Sequence, residues 1–200
     1  MKIIRILCSC LVVFLVLTCG CTAPGTTSPD TPSAPATTSI PAQVSTASED
    51  FTLSVDSVTP GSTLPLEFTC TGSSRTPGVS WANVPSGTKS FVLILDDPDA
   101  PSGTFTHWLI YNIPPETRSI DPGQPDGKVL SDGAQIGTNS ADSRGYYPPC
   151  PPPGKAHRYI FRLYAVDMII SQPSADRASI DWALDGHTLG KSQVITTFKR

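Results

Sequence analysis

Apolar and polar positions change rhythm several times along this chain. From residue 51 onward the period is short: FTLSVDSV (51–58) and LPLEFTC (64–70) alternate, and GVSWANV (78–84) is a brief third run. Alternation at period two turns one face of a strand toward a core and the other toward water. KSFVLILDD (89–97) is instead continuously apolar, which predicts a central strand covered on both faces. THWLIYNI (106–113) and HRYIFRLYAVD (157–167), rich in aromatic and β-branched residues, predict two more strands, and SQVITTFK near the end predicts a last one. A helical rhythm occurs in SADRASIDWALDG (174–186), with Ser174 as N-cap, Gly186 as stop, and Ala178, Trp182 and Ala175 as the inward face. Residues 114–156 are dominated by Gly, Pro, Asp and Ser, too long for a plain connection, and are expected to wrap over the sheet as a binding loop. Many strands and one late helix make a mainly β protein, an antiparallel β-sandwich with a C-terminal helix.

The first 48 residues follow a different logic. Lys2 and Arg5 precede an uncharged apolar core, Leu7 to Leu17, which is shorter than the ~20 residues a bilayer span needs. LTCGC follows it and resembles a lipoprotein box, in which cleavage before a cysteine and acylation of its sulfur tether the mature chain. Cys21, preceded by Gly20, is the expected lipidated residue, with Cys19 as the alternative. A plain secretory signal and an uncleaved anchor are the competing readings. Residues 22–48 carry one charge, Asp30, and little apolar bulk, so they cannot offset their ordering entropy by burial. The expected organisation is a lipoprotein signal peptide (1–21), a Ser/Thr/Pro-rich linker (22–48) and a folded domain (49–200). That places the domain on the extracytoplasmic side, held to the membrane by an N-terminal lipid.

Composition narrows the function. The formal charge is −3 and only 16% of residues are charged, with no grouped Lys and Arg to track phosphates along a nucleic acid. Of six cysteines, Cys70 and Cys150 alone fall in the folded part. In an exported domain they are either a disulfide, which over so long a loop contributes about 4 kcal/mol, or two separate thiols.

Chemistry-bearing residues collect in three places. DDPDAPSGTFTHW (96–108) brings Asp96, Asp97 and Asp99 to a strand end beside His107; RGYYPPCPPPGKAHRY (144–159) leads through prolines to His157, Arg158 and Tyr159; His187 stands alone in DGHTLG. Histidines opening two strands and aspartates closing a third can meet at one rim. There, imidazolium and tyrosine hydroxyl donate to an anion while a carboxylate orients the ring. A metal site is the weaker reading, because the spacings are long and no H-x-x-x-H is present. A hydrolytic triad lacks a G-x-S-x-G elbow, and Cys150 between prolines is an awkward nucleophile. The plainest alternative is that the aspartates only close turns and the histidines only pack.

DDPDAPSGTFTHWLIYNIP with PPCPPPGKAHRYIFRLYAVD resembles the phosphatidylethanolamine-binding protein family, in its prokaryotic Raf-kinase-inhibitor-like branch. FTCTG (68–72), WANVPSGTKS (81–90) and the ending GHTLG fit the same branch, so the likeness covers about residues 51 to 200. The resemblance implies antiparallel sheets with a C-terminal helix and a small anion pocket. Asp97, His107, His157 and Tyr159 should line that pocket, with Asp99 and Pro149 beside them as further ligand contacts. Its expected occupant is phosphate, acetate or a phosphorylated head group such as phosphoethanolamine, bound without catalysis, cofactor or metal. Pro148 and Pro149 stand where glycines are common in the family, which should reshape the entrance. A protein-interaction or inhibitor module is the alternative function and a hydrolase the last. The protein partner is unknown, and a homodimer is one option.

Overall fold

The computed structural model describes residues 50–124, 126–127 and 129–200. The expectations for the signal peptide, for lipidation at Cys21 or Cys19 and for the linker lie outside these residues.

The continuous apolar run does form the middle of the molecule. Strand β3 (Ser90–Asp97) is buried at all eight positions. It is flanked on one side by β4 (Phe105–Ile113), itself bordered by the short β6 (Gln135–Ile136), and on the other by β7 (His157–Val166) and then β8 (Thr188–Phe198). A smaller sheet holds β1 (Thr52–Val55), β2 (Val79–Ala82) and β5 (Ser119–Ile120), in the order β1-β2-β5. All pairings between these strands are antiparallel.

Period-two geometry splits β3 between two cores. Phe91, Leu93 and Leu95 point into the space between the sheets, where they join Leu53, Val55, Val79, Trp81, Phe161 and Leu163. Trp81 leans on Phe91 with ring centres 5.3 Å apart. Val92 and Ile94 point the other way, toward Leu109, Tyr111 and the helix α1 (Arg177–Leu184). Both faces are therefore covered, which explains why the run needs no polar alternation. Each fully buried Leu, Ile or Phe contributes roughly 1.5–3 kcal/mol relative to exposure.

Two expected elements change form. LPLEFTC is not a strand: Leu66–Phe68 is a 3₁₀ turn in which the Phe68 N–H donates to Pro65 O and the Thr69 N–H to Leu66 O. Its apolar residues alternate in sequence, but Leu64 and Phe68 are buried while Leu66, between them, is 60% exposed. The helix starts later than its periodicity suggested. Ser174 has φ +65°, a left-handed conformation that no N-cap adopts, and Asp176 caps instead by accepting from the Ser179 N–H. Packing against Val92, Ile94, Leu109 and Tyr111 buries Ile180, Ala183 and Leu184, leaving Ala178 exposed and Trp182 75% exposed; Ala175 is buried but precedes the helix.

The long segment 114–156 joins the layers rather than only covering them. It donates β5 to the small sheet and β6 to the edge of the large one. At Gly137 it passes so close to β4 that an added Cβ would lie 2.5 Å from Leu109 Cδ2 and 2.7 Å from Ala175 O. A disulfide between Cys70 and Cys150, 80 residues apart, fastens its far end to the 3₁₀ region. Replacing both cysteines by serine should lower the unfolding free energy by about 4 kcal/mol in urea melts. An unchanged midpoint would show that the bond constrains nothing.

Candidate functional site

The site begins with the parity of β3. Asp96 and Asp97 are consecutive, so their carboxylates leave the strand on opposite faces. Asp96, on the helix side, is fully buried and accepts from Thr106 Oγ1 at 2.8 Å and from Arg162 Nη1 at 2.7 Å, with Arg177 Nη2 at 3.3 Å. Two guanidinium groups and a hydroxyl satisfy a charge that would otherwise be expensive to bury. Because Arg177 is the first residue of α1, this carboxylate also ties the helix to the sheet.

Asp97 points into the other layer, where a β-bulge prepares its surroundings. Leu95 pairs with Trp108 but Asp96 pairs with Thr106, so His107 is the extra residue of β4. A bulge re-aims the side chain it inserts. Here it sends His107 to the same side as Phe105 and Asp97 instead of onto the helix face.

These residues surround a cavity of about 200 Å³. Its polar wall is Asp97, His107, His157 and Tyr159; its apolar collar is Ala100, Pro101, Phe105, Tyr147, Pro151 and Pro152, with Cys150 beside them. Both imidazoles are locked by Nδ1. His157 Nδ1 donates to Asp97 Oδ2 at 2.7 Å, and Asp97 Oδ1 accepts from the Asp99 N–H at 2.8 Å, so the carboxylate is held at both oxygens. His107 Nδ1 donates to the Tyr147 carbonyl at 2.7 Å, while the Tyr147 N–H donates to His107 O. Each ring therefore keeps Nε2 as its unspent polar atom. His107 also stacks between aromatic neighbours, 4.7 Å from Phe105 and 5.4 Å from Tyr159 between ring centres.

The Tyr159 hydroxyl is the odd one out. The residue is fully buried, and the oxygen has no hydrogen-bond partner among the described residues. Burial, then the nearby Asp97 charge, raises its pKa, so the hydroxyl keeps its proton as a donor. Burial also pushes the His107 imidazole below its ordinary range, against the opposing pull of the Tyr147 carbonyl, Asp97 and Asp96.

Asp97, His107, His157 and Tyr159 are thus brought together, and two other expected ligand contacts are not on the cavity wall. The Asp99 carboxylate is engaged by the backbone N–H, Nε and Nη2 of Arg158, which holds its pKa well below the usual carboxylate range. Pro149 is buried, its carbonyl accepting from the Cys70 N–H. The prolines that shape the entrance are Pro101, Pro151 and Pro152. His187 stands apart, paired with Asp167 at 2.8 Å. Sequence reasoning did not single out Phe105 or Tyr147, although both lie in the quoted stretches 96–108 and 144–159, because it weighed the ionisable residues there and passed over the aromatic ones.

With this geometry in view, comparison with known proteins is direct. Residues 54–199 match the family model described as phosphatidylethanolamine-binding protein. A UPF0098 protein of Methanothermobacter thermautotrophicus is 44% identical over 138 residues, 68% of this chain and 91% of the relative. LppC of Mycobacterium tuberculosis, which carries a provisional lipoprotein name, is 30% identical over 155 residues, 76% of this chain and 74% of the relative. Among solved structures, a Chlamydia trachomatis homologue has 31% identity and a TM-score of 0.68, covering 76% of this chain and 98% of its own. Escherichia coli YbcL has 27% identity and a TM-score of 0.70, covering 76% and 99%. The chain belongs to the phosphatidylethanolamine-binding protein family, and its two antiparallel sheets with a C-terminal helix are that family's fold.

The division of labour between the two carboxylates is testable. Asp96→Ala leaves two guanidinium groups facing a buried gap and should destabilise the protein by about 3 kcal/mol in urea melts. A loss below about 1 kcal/mol would mean that Arg162 and Arg177 simply turn to solvent.

Proposed function

We propose that this domain is a membrane-tethered, extracytoplasmic binding module for a small oxyanion or phosphorylated head group, and that it performs no chemistry on it. The observation that carries the reading is the buried, unpartnered Tyr159 hydroxyl in a cavity shared with two imidazoles whose Nδ1 atoms are already committed. A hydroxyl not committed to another protein group can donate to an oxygen that a ligand brings into the cavity. About 200 Å³ is several times the roughly 30 Å³ share of one water molecule, room for an anion with a short substituent.

The apolar collar above a polar floor suits an anionic head carrying organic bulk. His157, when protonated, places its charge between Asp97 and the ligand. Cys150 is no nucleophile while its sulfur is bonded to Cys70, which speaks for binding over hydrolysis. The family's name supports a phospholipid-type head group, and LppC's designation supports the lipid tether inferred from LTCGC.

Titrating the full-length protein with inorganic phosphate and then phosphoethanolamine should shift the ring resonances of His107 and His157 and leave His187 unmoved. Tyr159→Phe should weaken binding by about tenfold, the value of one hydrogen bond to a charged group. If no histidine responds to either ligand, the anion-pocket reading falls.

A further inference from the structure

The hydrogen-bond polarity of the cavity floor carries more than the presence of a pocket. The Tyr147 carbonyl can only accept, so the proton on His107 must sit on Nδ1, at 2.7 Å from that oxygen. In the neutral ring Nε2 is then a bare acceptor. Charging His107 would require a second proton in a site where burial opposes it. Asp97 in the cavity and, from the far face of β3, Asp96 favour that proton, and His157 resists it. The rings of Phe105, Tyr147 and Tyr159 pack around it, 4.7 to 6.1 Å away between centres.

His157 differs in its partner: a carboxylate, not a carbonyl, accepts from its Nδ1–H at 2.7 Å. The floor thus offers the Tyr159 O–H as a donor and His107 Nε2 as an acceptor.

We infer that the cavity selects an oxyanion that still carries a proton, namely free phosphate or a singly protonated phosphate monoester, over sulfate and over phosphate diesters. This rests on the anion-pocket reading above and sharpens it. A P–OH group donates to His107 Nε2 while another oxygen accepts from the Tyr159 hydroxyl. Sulfate and a diester have only acceptors to offer, so one of their oxygens would face His107 Nε2 with no proton between them. A buried acceptor left unpaired in this way disfavours the wrong ligand by about tenfold or more. The consequence concerns lipids: the phosphate of an intact phosphatidylethanolamine is a diester, whereas phosphoethanolamine is a monoester. On this account the occupant is a released head group or free phosphate, not a lipid still in its bilayer.

Calorimetric titration of the full-length protein tests this at about pH 6, where a phosphate monoester keeps its second proton about half the time. The probes are inorganic phosphate, sulfate, phosphoethanolamine and the diester glycerophosphoethanolamine. Phosphate should bind about tenfold or more tightly than sulfate, and phosphoethanolamine likewise relative to glycerophosphoethanolamine. In His107→Ala both ratios should collapse to within about twofold, whereas Tyr159→Phe should weaken all four ligands and keep the ratios. Equal affinity of the four probes for the unmodified protein overturns this inference while the anion pocket stands. Ratios that survive in His107→Ala overturn it too, by showing that His107 is not the discriminating acceptor. Binding of none of the four overturns the pocket reading and this inference with it.

Discussion

Adjacent residues of a strand cannot point the same way, and the cavity of this domain depends on that rule at the end of β3. Asp96 and Asp97 are chemically identical and covalently adjacent, yet pleating assigns one to the helix layer and one to the space between the sheets. Asp96 becomes structural, neutralised by Arg162 and Arg177 and bonded by Thr106. Asp97 becomes the orienting base of a pocket, holding His157 by Nδ1 and closing the turn at Asp99. Had the pairing slipped by one residue, each carboxylate would face the other's partners.

The bulge in β4 supplies the second half of the arrangement. Without an extra residue at His107, strict alternation would place that imidazole on the helix face with Leu109 and Tyr111. With it, two histidines from strands on either side of β3 reach one cavity. The long segment then locks the result: Tyr147 exchanges two hydrogen bonds with His107, and three residues later Cys150 is bonded to Cys70. A rigid floor of this kind limits the ordering entropy lost on binding, which is how a small site gains affinity from few contacts.

Much of this was legible in the sequence, for reasons that differ by element. The central strand announced itself, because every residue from Phe91 to Leu95 is apolar and leaves no alternation before the terminal aspartates. Asp97, His107, His157 and Tyr159 were identifiable because ionisable residues at strand ends are chemically conspicuous and because the chain resembles its family there. The helix phase was misjudged, since Ala178 and Trp182 look as apolar as Ile180 and Leu184, and only packing against the sheet selects the second face. LPLEFTC imitated a strand because its apolar residues alternate in sequence, yet Leu66 is exposed in the 3₁₀ turn. The bulge left no mark in THWLIYNI, where nearly every position is apolar and parity cannot be read. Asp99 and Pro149 lie in the family-like motifs but not on the cavity wall, Asp99 being engaged by Arg158 and the Pro149 carbonyl by the Cys70 N–H.

The central claim is that both cavity imidazoles are fixed by Nδ1, leaving Nε2 for a ligand. Long-range proton–nitrogen spectra of the histidine rings in the ligand-free protein read this directly. The account predicts a protonated Nδ1 on His107 and on His157 alike. A bare Nδ1 on either ring would contradict it, because the Tyr147 carbonyl and the Asp97 carboxylate would then lack the proton that orients the site.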